Sequence, residues 1–276
     1  MSAEYIQRLE EAYASLTEKV NFSPEVLLTL GSGLGNIADD MQVVASVDYK
    51  DVKGMPISTV DGHKGRFVFG YIRGAKVVVM QGRLHYYEGY APEECVMPIR
   101  LAALMGAKVM FLTNASGGIT YPEVGDLMRI TDHISLVPSP LRGENYPRLG
   151  KRFPDMTKPY DEELGAIVDK VAKNLNIDLK KGVYIQTQGP NFETASEIRM
   201  AKMLGADAVG MSSAIEVIAA RHAGMRVVGL ACIVNPACGI TDVALDNVDE
   251  GVAIAKSSEK IRALVFDSIE RIKEVM

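Results

Sequence analysis

The chain has 276 residues, 47% hydrophobic and 24% charged, with a formal net charge of -5, the balance of a soluble globular α/β protein with one domain over residues 1–276. The acidic surplus argues against a nucleic-acid or anionic-membrane partner, although a few cations in a cleft still suit an anionic small molecule. Cys95, Cys232 and Cys238 lack metal-type spacing and imply no disulfide framework, and no run of eighteen apolar residues occurs, so a reducing, cytoplasmic setting is the expectation.

Tyr5, Leu9, Tyr13, Leu16 and Val20 recur at spacings of three or four, which predicts a structural helix over residues 2–20. The near-continuous apolar run Glu25–Leu30 reads as a strand buried on both faces, and it enters Gly31-Ser32-Gly33-Leu34-Gly35-Asn36. A glycine loop after a strand exposes backbone N–H groups to an anion, and Ser32 adds a hydroxyl. Alone the loop reads more readily as a plain connection than as an anion site. The dinucleotide fingerprint needs Gly or Ala where Asn36 stands, and the phosphate loop of nucleotide hydrolases needs Gly-Lys-Ser/Thr.

Gly62-His63-Lys64-Gly65 precedes alternating Phe67, Phe69 and Tyr71, and Gly74 then leads to Val77–Met80: two strands and a turn. The second strand ends in Gln81-Gly82-Arg83-Leu84-His85-Tyr86-Tyr87-Glu88-Gly89, the densest cluster of ionisable and aromatic residues. Arginine presents a planar fork to an oxyanion, and His85, two residues on, projects to the same side of an extended segment. Glu88 is placed to hold His85 in one orientation.

Pro92–Met105 reads as a helix and Lys108–Leu112 as a buried strand ending at Thr113-Asn114-Ala115-Ser116-Gly117-Gly118. Residues 126–137 form an alternating strand in which His133 is structural, as is His222 on the helix Ala214–Ala223. Residues 138–159 carry five prolines and many charges, an irregular excursion that serves as a lid or a subunit contact. Asp161–Leu175 and Asp246–Met276 are helical by period.

The stretch 182–235 holds the most polar groups in apolar surroundings. Strand Gly182–Ile185 breaks at Gly189-Pro190-Asn191, Phe192 and Glu193 open a helical pattern, Ala208–Ser212 is a second apolar run, and strand Met225–Val234 leaves the Asn235 carboxamide before Pro236. Glu193 is a capping carboxylate on the simplest view, and a pocket group when read with its neighbours. Apolar strands finish at Leu30, Met80, Leu112 and Val234, each followed by small, polar or glycine residues. In open α/β sheets ligands sit beyond the carboxyl ends of strands, so these ends point to one shared crevice.

Six motifs, Gly31–Gly35, Gly62–Arg66, Gly82–Gly89, Thr113–Gly118, Gly189–Thr194 and Val209–Ser212, occur in the order seen in trimeric purine nucleoside phosphorylases. The chain resembles that family from about Ser23 to Asp242. The resemblance implies a central mixed, largely buried β-sheet flanked by helices, a homotrimer, and reversible phosphorolysis of purine nucleosides to free base and (deoxy)ribose 1-phosphate, with phosphate as co-substrate and no cofactor or metal. It implies phosphate contacts at Ser32, His63, Arg83, His85, the Ala115 backbone and Ser212. The sugar would meet Tyr87, Phe192 and Met211, and the purine Glu193 and Asn235, with Val209 and Gly210 beside them; His85, Glu193 and Asn235 would act in the chemistry. A carboxylate at position 193 accepts from N1–H of a 6-oxopurine but faces the lone pair of adenine N1, which favours inosine and guanosine.

The chain departs from the family pattern twice. Val248 stands where relatives carry a histidine toward the sugar 5′ hydroxyl, and Leu149 stands where a phenylalanine covers a neighbouring subunit's site. Methylthioadenosine phosphorylase, a phosphate-independent nucleoside hydrolase, a dinucleotide oxidoreductase and a non-catalytic purine binder are the alternatives.

Overall fold

The five residues of strand β1 (Val26–Leu30) are all buried, because β1 lies between two parallel neighbours, β4 (Ala75–Gln81) and β5 (Val109–Gly118). A strand covered on both faces has no use for alternation, which accounts for its unbroken apolar sequence. Its side chains still point alternately up and down. Val26, Leu28 and Leu30 join one core with Val77, Val79 and Phe111, while Leu27 joins the other with Val78, Met80 and Leu112.

The computed structural model describes the chain except Ser32, Asp61, Val243, residues 246–253, Lys256 and the side chain of Asn36. Ser32 and Val248 therefore lie outside the described residues. The first core is closed by helix α4 (Glu162–Asn174) and helix α7 (Ser258–Lys273). The second is closed by α1 (Ala3–Lys19), α3 (Met97–Leu104) and α6 (Ala214–His222). Helices on both faces of a mostly parallel sheet are the layered solution for such strands.

Among the described residues the sheet has nine strands in the order β2-β3-β4-β1-β5-β8-β7-β6-β9, and β9 (Arg226–Pro236) also pairs with β5. That last pairing closes β5, β8 (Ala208–Gly210), β7 (Leu179–Gln186), β6 (Leu127–Ser135) and β9 into a ring. Strands β4, β1, β5 and β9 run parallel, so their carboxyl ends share one side of the sheet, as the sequence suggests. β3 (Arg66–Ile72) pairs antiparallel with β4 across the turn at Arg73 and Gly74. β2 (Gln42–Asp48), which the sequence analysis does not anticipate, adds an edge to β3. Its residues are mostly exposed, Val43 and Val44 among them, so its short apolar run does not report burial.

Two expectations change, and the place of Leu149 is fixed. Thr113–Gly118 is not a loop after a strand: β5 continues through it, its backbone paired with β9 as far as Gly118↔Pro236. The polar side chains are satisfied inside, Thr113 Oγ1 donating to Thr29 O (2.8 Å) and Asn114 Nδ2 to Ser213 Oγ (2.8 Å). The helix expected over 92–105 is split into α2 (Pro92–Cys95) and α3, with Val96 between them. Leu149 does not reach outward, since it is 4% exposed and packs in the second core of its own chain.

The excursion 138–159 is irregular, as expected, and is tied to its own chain. The terminal ammonium of Met1 donates to the carbonyls of Arg142 (2.5 Å) and Glu144 (2.8 Å), and Arg100 Nη2 donates to Pro140 O at 3.0 Å. His222 Nε2 meets Asn145 Oδ1 at 3.3 Å and His133 Nδ1 meets the Tyr160 hydroxyl at 3.3 Å, so both histidines are structural.

Phe111 is fully buried at the centre of the sheet. Phe111→Ala is expected to lower the unfolding free energy by about 3–5 kcal/mol in urea titration, the usual cost of emptying an aromatic core position.

Candidate active site

Just past the carboxyl end of β4, against Thr29 of β1 and Thr113 of β5, lies a guanidinium that the sheet has buried. Arg83 is 2% exposed. Its Nη2 donates to Thr113 O (2.8 Å) and Thr29 Oγ1 (3.2 Å), its Nε to Glu216 Oε1 (3.2 Å), and its Nη1 to Ser212 Oγ (3.4 Å). Gly82, at φ 107°, makes the turn that carries Arg83 off β4 and packs against His63, so no side chain fits there. Gly31 lies against Asn114 and Ala115 so closely that an added Cβ would fall 2.9 Å from Asn114 Cα. The glycine loop, the Ala115 backbone, Arg83 and Ser212 thus meet at one pole.

Three rings stack beside that pole. His63 and His85 have centroids 5.3 Å apart, and His85 and Tyr87 4.7 Å apart with only 14° between their planes. Glu88 receives the His85 backbone N–H at 2.6 Å and lies 3.4 Å from His85 Nδ1, which makes no hydrogen bond among the described residues. Burial works to raise the Glu88 pKa, but hydrogen bonds from His85 and Thr59 outweigh it and bring it down to about 2. Burial, reinforced by the charge of His85, lowers the His63 pKa to about 4 and keeps that ring neutral near pH 7.

The other pole is built by β7, β8 and the segment before α5 (Ala195–Met203). Glu193 does not cap that helix. Thr194 is the N-cap, in a reciprocal capping box with Glu197. The Glu193 carboxylate instead receives the Thr187 hydroxyl at 2.6 Å, and the two line a cavity of about 280 Å³ together with Ile185, Gly189 and Val209. Asn235 is 6% exposed, its Nδ2 donating to Pro236 O at 2.7 Å, and both Nδ2 and Val209 Cγ1 border Gly117. Gly210 faces the Tyr184 hydroxyl and the Ala115 carbonyl.

Tyr87 and Met211 join the two poles. An added Cβ on Gly189 would lie 2.4 Å from Met211 Sδ and 3.0 Å from Tyr87 Cδ1. Met211 precedes Ser212 in the chain, and Tyr87 stacks on His85, so Tyr87 and Met211 connect the Arg83 pole with the Gly189 side of the Glu193 cavity. Phe192 is 46% exposed and stands at the rim. Among the described residues, no group of three or more His, Cys, Asp or Glu is arranged to hold a metal, and no helix is long and apolar enough to cross a membrane.

The chain is similar to known proteins. A family model described as the phosphorylase superfamily matches residues 25–270. The chain belongs to that superfamily. Purine nucleoside phosphorylase 1 of Bacillus subtilis is 45% identical over 258 residues, covering 93% of this chain and 94% of its own. Purine nucleoside phosphorylase of Schistosoma mansoni, solved in complex with inosine, superposes with a TM-score of 0.89 at 31% identity over 96% of each chain. The same enzyme in complex with adenosine gives 0.89 at 32% identity, over 96% of this chain and 97% of that one. As a phosphorylase of this group the chain is an enzyme of purine nucleoside phosphorolysis, acting on small-molecule substrates.

Sequence reasoning missed Thr29, Thr187, Ser213 and Glu216. Thr29 and Glu216 each interrupt an apolar run, VLLTL and AIEVIAA, which is the signal that marks them. Ser213 has φ 85°, a conformation uncommon outside glycine, and no sequence pattern announces it.

A histidine held neutral in the fold and charged when unfolded contributes stability that is full above its unfolded pKa, near 6.5, and is lost as pH falls toward about 4. His63→Gln is expected to flatten the fall in melting temperature over that window. An unchanged slope would show that His63 is not the group responsible.

Proposed function

We propose that the site binds inorganic phosphate at the Arg83 pole and a 6-oxopurine nucleoside across Tyr87, Met211, Glu193 and Asn235, and cleaves the glycosidic bond by phosphate attack at the anomeric carbon. The observation that carries this reading is the buried Arg83, fixed by Thr113, Thr29 and Ser212, while Glu193 lines a cavity with Val209, which borders Gly117 together with Asn235. A cation buried at the convergence of strand ends suits a dianionic nucleophile. His63, His85, Ser212 and the Ala115 backbone complete the phosphate pole in this reading, with Ser32 assigned there from the motif alone.

Phosphorolysis asks for little covalent participation by the protein. Phosphate held beneath the sugar stabilises the cation-like anomeric carbon as the bond breaks, and the base departs with growing negative charge. Positioning and electrostatics carry the rate. The Asn235 amide donates to purine N7 as that charge develops, while Pro236 O fixes its orientation. Glu88 keeps His85 directed at the phosphate. Phosphate is a co-substrate, and no cofactor has a role in these steps.

Specificity rests on Glu193. The Thr187 hydroxyl occupies Oε1, which leaves Oε2 to accept N1–H of hypoxanthine or guanine. Adenine N1 offers only a lone pair. A buried polar mismatch of this kind discriminates by up to ~10⁴-fold. Phe192 at the rim and Val209 and Gly210 along the wall border the nucleoside. One domain over residues 1–276, a homotrimer and a cytoplasmic location belong to the same reading on the strength of the family resemblance. Since Leu149 is buried in its own chain, any cover over a neighbouring site comes from another residue.

Hypoxanthine release from inosine, with and without inorganic phosphate and with adenosine alongside, tests the reading. Phosphate-dependent release from inosine only is expected. Release without phosphate means a hydrolase, and equal cleavage of adenosine removes the Glu193 argument. Glu193→Gln, whose amide either accepts or donates at N1, is expected to reduce the inosine-to-adenosine ratio of kcat/KM about 10-fold or more, the order of one charged hydrogen bond.

A further inference from the structure

The phosphate pole contains a buried carboxylate that the mechanism above does not use. Glu216 is 2% exposed, on a helix whose neighbouring residues Ile215 and Val217 are core. Its Oε1 accepts from Arg83 Nε at 3.2 Å, and its Oε2 is buried with no hydrogen-bond partner among the described residues. A carboxylate left half-satisfied in the interior costs stability, so a purely structural position would more readily carry an apolar residue. It lies in the first turn of α6, where the helix dipole favours a negative charge.

We infer that Glu216 is a positioning residue and internal counter-charge for Arg83, which fixes the direction of the guanidinium and limits how tightly the site holds phosphate. The inference rests on the phosphate assignment proposed above. Of the five guanidinium N–H groups, Nε goes to Glu216, the two on Nη2 go to Thr113 and Thr29, and one on Nη1 goes to Ser212. The remaining Nη1 N–H has no partner among the described residues and is the one left to meet an anion. Glu216 and Ser212 approach the fork from the same helix start, so α6 sets both its angle and its charge.

Without the carboxylate, Arg83 would present an uncompensated buried cation. Phosphate and ribose 1-phosphate would then bind more tightly and leave more slowly. With it, the empty site is neutral at that point, and the incoming dianion must compete with an existing pair.

Two variants separate charge from reach. Glu216→Gln keeps an acceptor oxygen for Nε and removes the charge, whereas Glu216→Asp keeps the charge and withdraws it by one methylene. Initial rates with inosine and inorganic phosphate give both KM values. Glu216→Gln is expected to lower the phosphate KM at least threefold and to lower kcat as product is retained, with the inosine KM within twofold of wild type. Glu216→Asp is expected to raise the phosphate KM at least threefold, again sparing inosine. A phosphate KM that changes by less than threefold in the folded variants, that moves oppositely, or that shifts together with the inosine KM overturns the inference. If Glu216→Gln gives no cooperative melting transition, the Glu216→Asp result decides. Should wild type release hypoxanthine without phosphate, the function reading itself has failed, which is a distinct outcome.

Discussion

A guanidinium removed from water has to be surrounded by acceptors, and the burial of Arg83 imposes that requirement on three separate parts of the chain. Thr29 comes from β1, Thr113 from β5, and Ser212 and Glu216 from the start of α6. These elements can meet only because β4, β1 and β5 run parallel and end on one side of the sheet. The parallel arrangement in turn needs both faces covered, which α4 and α7 supply on one side and α1, α3 and α6 on the other. Fold and guanidinium pole are therefore one construction: strands too apolar to face water force a layered fold, and the layered fold gathers their polar groups.

The second pole depends on a different feature, the closure of β5 through β9 into a ring. Closure brings Gly117 against both Val209 and Asn235 and sets Gly210 beside Ala115. Small residues at these contacts let strands approach where side chains would hold them apart; an added Cβ at Gly210 would lie 2.5 Å from the Tyr184 hydroxyl. The glycine-rich ends of β5 and β8 thus serve close packing within the sheet as much as ligand access. That double use explains why a segment as polar as Thr113–Gly118 continues as strand instead of becoming a loop.

Electrostatics in the cleft is arranged in neighbouring pairs. Glu88 stays ionised because it is hydrogen-bonded by His85 and Thr59, and Arg83 is paired with Glu216. His63, stacked on His85, avoids a second adjacent cation by remaining neutral. At the opposite pole Thr187 orients Glu193, and Thr194 with Glu197 takes over the helix cap that Glu193 would otherwise supply. Relieving Glu193 of capping leaves its carboxylate available to a ligand.

The amino-acid sequence alone determined the buried strands, most helices, the clustering of strand ends and the residue types at each pole. Periodicity reports burial directly, and glycine, arginine and histidine carry chemistry that position in the chain does not alter. The tertiary structure decided what depended on partners remote in sequence. It extended β5 past Leu112, because β9 satisfies its backbone, and it added β2, whose short apolar run is exposed and does not report burial. It turned Leu149 inward, and it put Glu193 on a cavity wall with Thr187 bonded to its carboxylate while Thr194 took the helix cap. Glu216 reached Arg83 across 133 residues of sequence, a separation that no local pattern encodes.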